Sequence, residues 1–458
     1  MYKRQLYDRQ PEKINHNTLL ELVIDLYEAG DYAQGITLAE KWVKQQNVSR
    51  QEDIYPLVYY YIAYGYQNLH RKENTEQANC YMTMYVTLGE NAAADGCFPH
   101  RTEDYIVLKS LAEEYHLAMA YYYLGCLLYD RRVYDESIED YEESILRSPD
   151  FPTVHRNLAL AYYNVKKLPQ RAYEEMEKAF ALDETDARVY LELDQLKKRL
   201  NVAVKERWSD MEKHFDLVES RDDLYLEYVT LLNTLGEPEK ALGLIKARKF
   251  HQWEGGEGKV AAQYLTALYQ LAKAAVEKED YAEAKKLLLR AVGEYPHNLG
   301  EGKLESGQEN NLYYLLGLVQ EKLGEAKDAF ESLTRACCGE SEPVGMMYYN
   351  DQPPEMIYYQ GLAYRMLGEE EQAVRRFQKL VDYGREHIRD DVKIDYFAVS
   401  LPDLLIFEEN LNERNRKHCL FMVSLGLKGL GRIDEAEKCA EELLAMDNAH
   451  QEIRVHDL

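Results

Sequence analysis

The sequence predicts an all-α fold, a right-handed α-solenoid of about nine to ten stacked helix pairs. Three observations predict it. One register of large, small and proline residues returns along the chain, a short glycine-containing turn returns with it, and strand signals are negligible. Each helix pair alone exposes an apolar face, and stacking neighbours buries it in a continuous core.

The register is plainest in "AMAYYYLGCLLYDRRVYDESIEDYEESILRSPDF", which begins at Ala118. Tyr121, Leu124, Gly125, Leu128, Ser137, Tyr141, Ser144 and Pro149 fall on the large, small and proline positions of the tetratricopeptide pattern. Small residues at positions eight and twenty let the two helices approach, and proline ends the unit. The same register starts near Asn17, Pro56, Pro152, Asp222, Leu265, Asn310, Pro354 and Lys417. Turn signatures mark several of these units: "AGDY" (29–32), "TLGEP" (234–238), "KLGEA" (322–326), "MLGEE" (366–370) and "GLGRI" (429–433). A degenerate unit starts at Ala187, where "ARVYLELDQLKKRL" supplies a first helix but no standard turn follows. The expected organisation is therefore N-terminal repeats over 17–110, central repeats with the degenerate unit over 111–221, and C-terminal repeats with Gly-rich connections over 222–458. The opening "MYKRQ" reads as the in-frame translation of a transposon-based sequencing adaptor, so residues 1–16 are set apart as adaptor and linker. The natural protein is expected to extend upstream.

Composition narrows the function. A chain of 458 residues with 46% hydrophobic content can bury a large core. Its 81 acidic against 55 basic residues, a formal charge of −26, repel nucleic acid and anionic membranes alike. Basic residues are interleaved with acids at helical spacing, as in "REHIRDDVKID" (385–395), the pattern of a solvated helix face. Seven cysteines without a C-x-x-C pair suggest reduced thiols and a cytoplasmic protein rather than a disulfide framework or zinc cluster. No apolar run approaches membrane-spanning length.

Catalytic signatures such as H-E-x-x-H and G-x-S-x-G are missing, and the histidines are scattered singly. Neither catalysis by this chain nor a cofactor is expected. The carboxylate clamp of chaperone-binding repeats is also unmatched. In the three units from Ala118 only Asn157 and Arg188 fall on its positions, while Tyr122, Cys126 and Glu192 replace the others.

Two constellations remain as candidate binding sites. The first is the Gly-rich stretch "KFHQWEGGEGKVAAQY" (249–264), whose Gly-Glu-Gly-Lys returns at Gly300–Lys303. Both copies fall between repeats, so they are expected one repeat apart on the same rim. A phosphate-binding loop is excluded by spacing, because Trp253 stands where the first glycine belongs and Val260 follows Lys259. Two readings stay open. The loops pack on each other, with Lys259 or Lys303 pairing Glu254 or Glu301. Alternatively they form a binding rim, in which Trp253 offers a stacking face and Glu254 or Glu257 an acceptor. The second constellation is position five of the first helix, expected to line the concave groove: Tyr60, Tyr122, Tyr269, Tyr314 and Tyr358, with Phe421 in the last unit. A ladder of phenols suits extended peptides or sugars, although tyrosine is also an ordinary choice at this position.

Segments beyond the generic pattern carry a resemblance. "GCFPHRTEDYIVL", "SPDFPTVHRNLALAYYN", "KAFALDETDARVYLELDQL", "SRDDLYLEYVTLLNTLG", "FHQWEGGEGKV", "YPHNLGEGK", "YYNDQPPEMIYYQGLA" and "YFAVSLPDLLIFEENLNERN" resemble the C-terminal repeat region of bacterial proteins carrying domain of unknown function 5107. The likeness runs from about Pro56 to Gly431 and departs at Gln252, where proline is expected before the tryptophan. It implies a galactose-mutarotase-like β-sandwich ahead of the repeats and a carbohydrate-related role. The expected function is an interaction module that docks that β-sandwich or another protein. The alternative is an accessory part of a carbohydrate-active enzyme whose rim loops complete a sugar site.

Overall fold

The computed structural model describes residues 14–46, 53–73, 76–253, 255–303, 307–345, 351–393 and 406–456. The "MYKRQ" stretch and Glu254 lie outside the described residues. Among those described every regular element is helical. Two compact units result, the first ending at Asp183 and the second beginning at Glu184, so the boundary falls inside the segment 111–221 that the sequence treats as one group.

The first unit comprises α1 (His16–Glu28), α2 (Tyr32–Gln45), α3 (Pro56–Glu73), α4 (Glu76–Asn91), α5 (Thr102–Tyr115), α6 (Ala118–Asp130), α7 (Tyr134–Arg147), α8 (Pro152–Asn164) and α9 (Pro169–Leu182). The pairs α1/α2, α3/α4, α6/α7 and α8/α9 begin where the register predicts. The tightness of a pair has a visible cause at Gly125: a Cβ there would lie 2.5 Å from the Tyr141 ring, so only glycine admits the tyrosine. Ser137 Oγ then donates to the Gly125 carbonyl at 2.7 Å and locks the contact.

Helix α5 belongs to no predicted unit. Asp104 builds it in: its fully buried carboxylate accepts from the N–H groups of His100 (2.9 Å) and Arg101 (3.0 Å), capping the helix, and from the Tyr61 hydroxyl on α3 (2.8 Å). His155 is another buried polar anchor. Its Nδ1 lies 2.6 Å from a Glu175 carboxylate oxygen and its Nε2 2.9 Å from the Pro149 carbonyl. Burial alone would lower its pKa, but these two acceptors outweigh it and hold the pKa above the ordinary value.

The second unit comprises α10 (Ala187–Arg199), α11 (Val204–Lys213), α12 (Phe215–Ser220), α13 (Asp222–Thr234), α14 (Pro238–Ala247), α15 (Lys259–Glu277), α16 (Tyr281–Ala291), α17 (Asn310–Lys322), α18 (Ala326–Ala336), α19 (Pro354–Met366), α20 (Glu370–His387), α21 (Leu411–Gly429), α22 (Ile433–Met446) and α23 (Gln451–Val455). Two helices start earlier than the register indicates, at Lys259 rather than Leu265 and at Leu411 rather than Lys417. Asn410 accounts for the second case, accepting from the N–H groups of Asn412 and Glu413 at 3.2 Å each.

In the degenerate unit, the partner of α10 is broken at His214 into α11 and α12. Its centre is ionic. Arg207, 1% exposed, reaches both carboxylate oxygens of Asp194 (3.0 and 2.6 Å) and Glu227 at 2.7 Å. A guanidinium fork thus stands where other pairs pack small apolar residues, which is why the repeat pattern fades here.

Among the described residues, the turn within a pair places one residue in the left-handed region. The five signature turns supply glycine, and Gly30, Gly236, Gly324, Gly368 and Gly431 all have φ between +76° and +83°. Four other pairs place Arg132, Lys167, Asn201 and Glu279 there, with φ between +54° and +61°. The degenerate unit also has a left-handed residue, Asn201, but its turn is one residue longer than the five glycine turns, with Val202 inserted before the N-cap Ala203.

Candidate interaction surfaces

The two Gly-Glu-Gly-Lys segments meet on one rim of the second unit. Phe250 N–H donates to the Asn298 carbonyl at 2.9 Å, while the Asn298 side-chain amide donates to the carbonyls of Ile245 (2.7 Å) and Arg248 (3.0 Å). Gly300, at φ +81°, passes so close that a Cβ would lie 2.8 Å from the Phe250 carbonyl oxygen. The next residue, Glu301, turns its carboxylate onto the start of α15 and accepts from Gly258 N–H (2.9 Å) and Ala261 N–H (3.1 Å). A carboxylate at a helix N-terminus is doubly favourable, through these orphan donors and through the helix dipole. The second loop thereby caps the helix that the first loop begins, which is why α15 starts at Lys259.

Charge pairing on the rim differs from the expected scheme. Lys303 Nζ lies 2.7 Å from Glu309 and donates to the Val292 carbonyl at 2.7 Å, so its partner among the described residues is Glu309 and not Glu301. Glu309 is buried, and that burial raises its pKa despite the lysine. Lys259 and Glu257 are exposed. Below them Asp222 accepts from His251 N–H at 2.9 Å and pairs with Arg248 at 2.6 Å. Burial would raise its pKa, but these donors hold it below the usual carboxylate value.

Trp253 lies half-buried over Gly256, where a Cβ would come within 2.2 Å of the indole. With His251, Glu257, Val260, Leu299 and Glu301 it lines a cleft of ≈ 380 Å³. The sequence therefore marks a place that the fold shapes into a concavity, with an aromatic ring and carboxylates on its walls.

The five position-five tyrosines do not form an open ladder. Tyr60, Tyr122, Tyr269 and Tyr358 are buried and Tyr314 is half-buried. In the first unit Tyr60 donates to Glu90 at 2.6 Å, and Tyr122 packs edge-on against Phe151 at 4.9 Å. Burial, then the Glu90 carboxylate, pushes the Tyr60 pKa well up.

In the second unit Tyr269, Tyr314 and Tyr358 converge on Tyr359, with ring centroids 6.2, 5.5 and 5.4 Å from it. Tyr359 Oη lies 2.6 Å from Tyr269 Oη and 2.9 Å from His456 Nδ1. His456 belongs to the C-terminal segment, which crosses the inner face formed by the first helices of the repeats. Gln451 donates to the Thr230 carbonyl of α13 at 3.2 Å and to Gln263 of α15 at 3.1 Å. Lys273 of α15 reaches the Val455 carbonyl at 2.8 Å, and Lys428 of α21 reaches that of His456 at 3.1 Å. The tyrosines are thus covered in part by the chain itself. Sequence reasoning missed Tyr359 and this segment, since neither follows the repeat register.

The seven cysteines are unpaired, and among the described residues no helix is long and apolar enough to cross a membrane.

The architecture is that of a helical repeat protein with a partly self-occupied inner face and a cleft on its rim. Comparison with known families names the repeat. A model described as "Tetratricopeptide repeat" matches residues 122–187 and 269–343, and a second of the same description matches 355–383, so tetratricopeptide repeats are recognised in the chain. Among solved structures the chain is similar to YrrB, described as a TPR protein with an unusual peptide-binding site, at 17% identity and TM-score 0.31, covering 40% of this chain and 90% of that one. It is also similar to a tetratricopeptide repeat protein from Parabacteroides merdae at 14% identity and TM-score 0.25, covering 66% and 98%. The human IFIT1 dimer with m7Gppp-AAAA aligns over 97% of this chain and 93% of its own at 12% identity and TM-score 0.28.

Proposed function

We propose that this tetratricopeptide-repeat chain is a protein-interaction scaffold that engages its partner through the rim cleft at Trp253 rather than through the inner face of its second unit. The observation that carries this reading is a contrast in access. The inner-face tyrosines are packed against one another and under the C-terminal segment, whereas Trp253 and Glu257 stand at a concavity of ≈ 380 Å³. An aromatic residue at the centre of a concave patch is the typical anchor of a protein interface. The resemblance to repeat regions that follow a galactose-mutarotase-like β-sandwich makes such a sandwich, from the same polypeptide, the first partner to test. The same tryptophan and carboxylates favour a second reading, in which the rim completes a carbohydrate site on that sandwich.

Calorimetric titration of the chain against a separately expressed β-sandwich of the resembled family, with and without oligosaccharide, tests both. Trp253→Ala is expected to weaken docking by about 2 kcal/mol, roughly 30-fold, with the melting temperature nearly unchanged. Undiminished docking by a folded Trp253→Ala chain sinks the rim as the contact surface. Docking that needs oligosaccharide favours the second reading.

A further inference from the structure

We propose that Glu355, Glu452 and His456 form a binding site for a divalent transition-metal cation of the zinc type, and that the bound ion fastens the C-terminal helix to the inner face of the second unit. Glu452 stands on α23, His456 caps its C-terminal end one turn further on, and Glu355 is the second residue of α19. One ligand atom from each lies within 4.8 Å of the others.

Two independent features point to a cation. The first is how the imidazole is held. His456, 4% exposed, has its Nδ1 on Tyr359 Oη at 2.9 Å, and Tyr359 is backed by Tyr269 at 2.6 Å. This phenol chain fixes the ring and turns Nε2 toward the carboxylates, 3.1 Å from Glu452. A buried partner on one imidazole nitrogen, with the other facing a carboxylate across which an ion could be shared, is the usual support of a metal-bound histidine. The second feature is Glu355. Its side chain is more than nine-tenths buried, and among the described residues no other residue donates a hydrogen bond to its carboxylate. The group facing it is the like-charged carboxylate of Glu452, within 4.8 Å. A buried carboxylate facing another is costly unless a cation stands between them.

The donor set selects the ion class. Two carboxylate oxygens and one imidazole nitrogen suit zinc or manganese, whereas magnesium and calcium seek oxygen alone. Bonds of about 2.0–2.1 Å in a tetrahedral site require ligand atoms roughly 3.3 Å apart. Glu452 and His456, 3.1 Å apart, already stand near that separation, and the Glu355 ligand atom lies within 4.8 Å of both. Three protein ligands leave one position for water, and Glu452, 38% exposed, opens the way in.

The test uses the full chain stripped with chelator and titrated with Zn²⁺ by calorimetry and with Co²⁺ by absorption spectroscopy. One tight equivalent is expected, without the intense near-ultraviolet thiolate band that binding at the free cysteines would give, and hydrogen exchange over 447–456 should slow. His456→Ala and Glu452→Gln should abolish that equivalent, and Tyr359→Phe should weaken it about 10- to 100-fold. Glu355→Gln is the folding control: it keeps the size and shape of the buried side chain, so it should leave the metal-free chain folded while abolishing the tight equivalent. Uptake that persists unchanged in a folded Glu355→Gln chain, a thiolate spectrum, or no stoichiometric uptake overturns the proposal.

Discussion

Asn201 and Asn448 clasp one another across 247 positions of sequence: Asn448 N–H donates to Asn201 Oδ1 at 2.8 Å, and the Asn448 side-chain amide donates back to the Asn201 carbonyl. The first turn of the second unit thereby holds the start of the segment that crosses its inner face. Each of these bonds is worth about 1 kcal/mol net. Asn448→Ala removes the side-chain bond and keeps the backbone one, so it is expected to lower the local stability of residues 447–456 by about 1 kcal/mol, read as faster amide exchange there, with exchange in α17 and α18 unchanged. Equal loss of protection throughout the unit would show that the clasp is not a local fastening.

Glu301 offers a second local test. Its carboxylate caps α15, so Glu301→Ala should cost about 1–2 kcal/mol in urea denaturation of the second unit and accelerate exchange at Gly258 to Ala262. Glu301→Gln keeps one acceptor and should cost less. Identical stability of wild type and Glu301→Ala would mean that water replaces the cap at no loss.

Turn chemistry predicts a gain. Glu279 is exposed and has φ +58°, a region where a Cβ costs roughly 1–2 kcal/mol, whereas glycine's extra freedom in the unfolded chain costs about 0.5–1 kcal/mol. Glu279→Gly should therefore stabilise the second unit by about 0.5–1 kcal/mol in chemical denaturation. Destabilisation would show that the Glu279 side chain makes a compensating contact.

Asp140 predicts a pH dependence in the first unit. Burial, opposed by Lys109 and reinforced by Glu139, Glu136 and Glu113, raises its pKa to about 7 from an ordinary value of 3.8. A native pKa above the unfolded one means that the folded state binds the proton more tightly. Its contribution to stability is therefore full below about pH 3.8 and is lost as pH rises through about 7. Asp140→Asn mimics the protonated form, so the mutant should be more stable than wild type at pH 8, with the difference shrinking toward pH 4. A difference that stays constant over that range would rule out Asp140 as its source.

The helix pairs were legible because their determinants are local. A glycine turn such as Gly324 and a small residue such as Gly125 sit at fixed offsets from the large residues they accommodate. Both ends of such a relation lie within one repeat. What escaped the register depends on partners far away or on single polar groups. Asp104 inserts α5 through a bond to Tyr61, Arg207 replaces apolar packing with an ion cluster, and His456 finds Tyr359 nearly a hundred residues distant. The rim shows both cases. The repeated Gly-Glu-Gly-Lys marked the location, but its pairing did not follow from spacing, because Glu301 caps a helix and Lys303 turns to Glu309. Tyr60, Tyr122, Tyr314 and Tyr358 are the fifth residues of their helices and Tyr269 the eleventh of α15, and their burial is decided by neighbours such as Tyr359 that stand off the pattern.

The clasp at Asn201 also bears on how the second unit is made. A repeat array whose members touch only their neighbours folds through short-range contacts, which close quickly. Here Arg199 reaches the Phe407 carbonyl across 208 positions, Lys273 reaches that of Val455 across 182, and Asn448 returns to Asn201 across 247. Such closures raise the contact order and must follow the stacking of the repeats they bridge, so the last kinetic step is the docking of the C-terminal segment. Until that step the phenols of Tyr269 and Tyr359 stay open to solvent and to other nascent chains, and assembly of this half is therefore most vulnerable to aggregation at its very end.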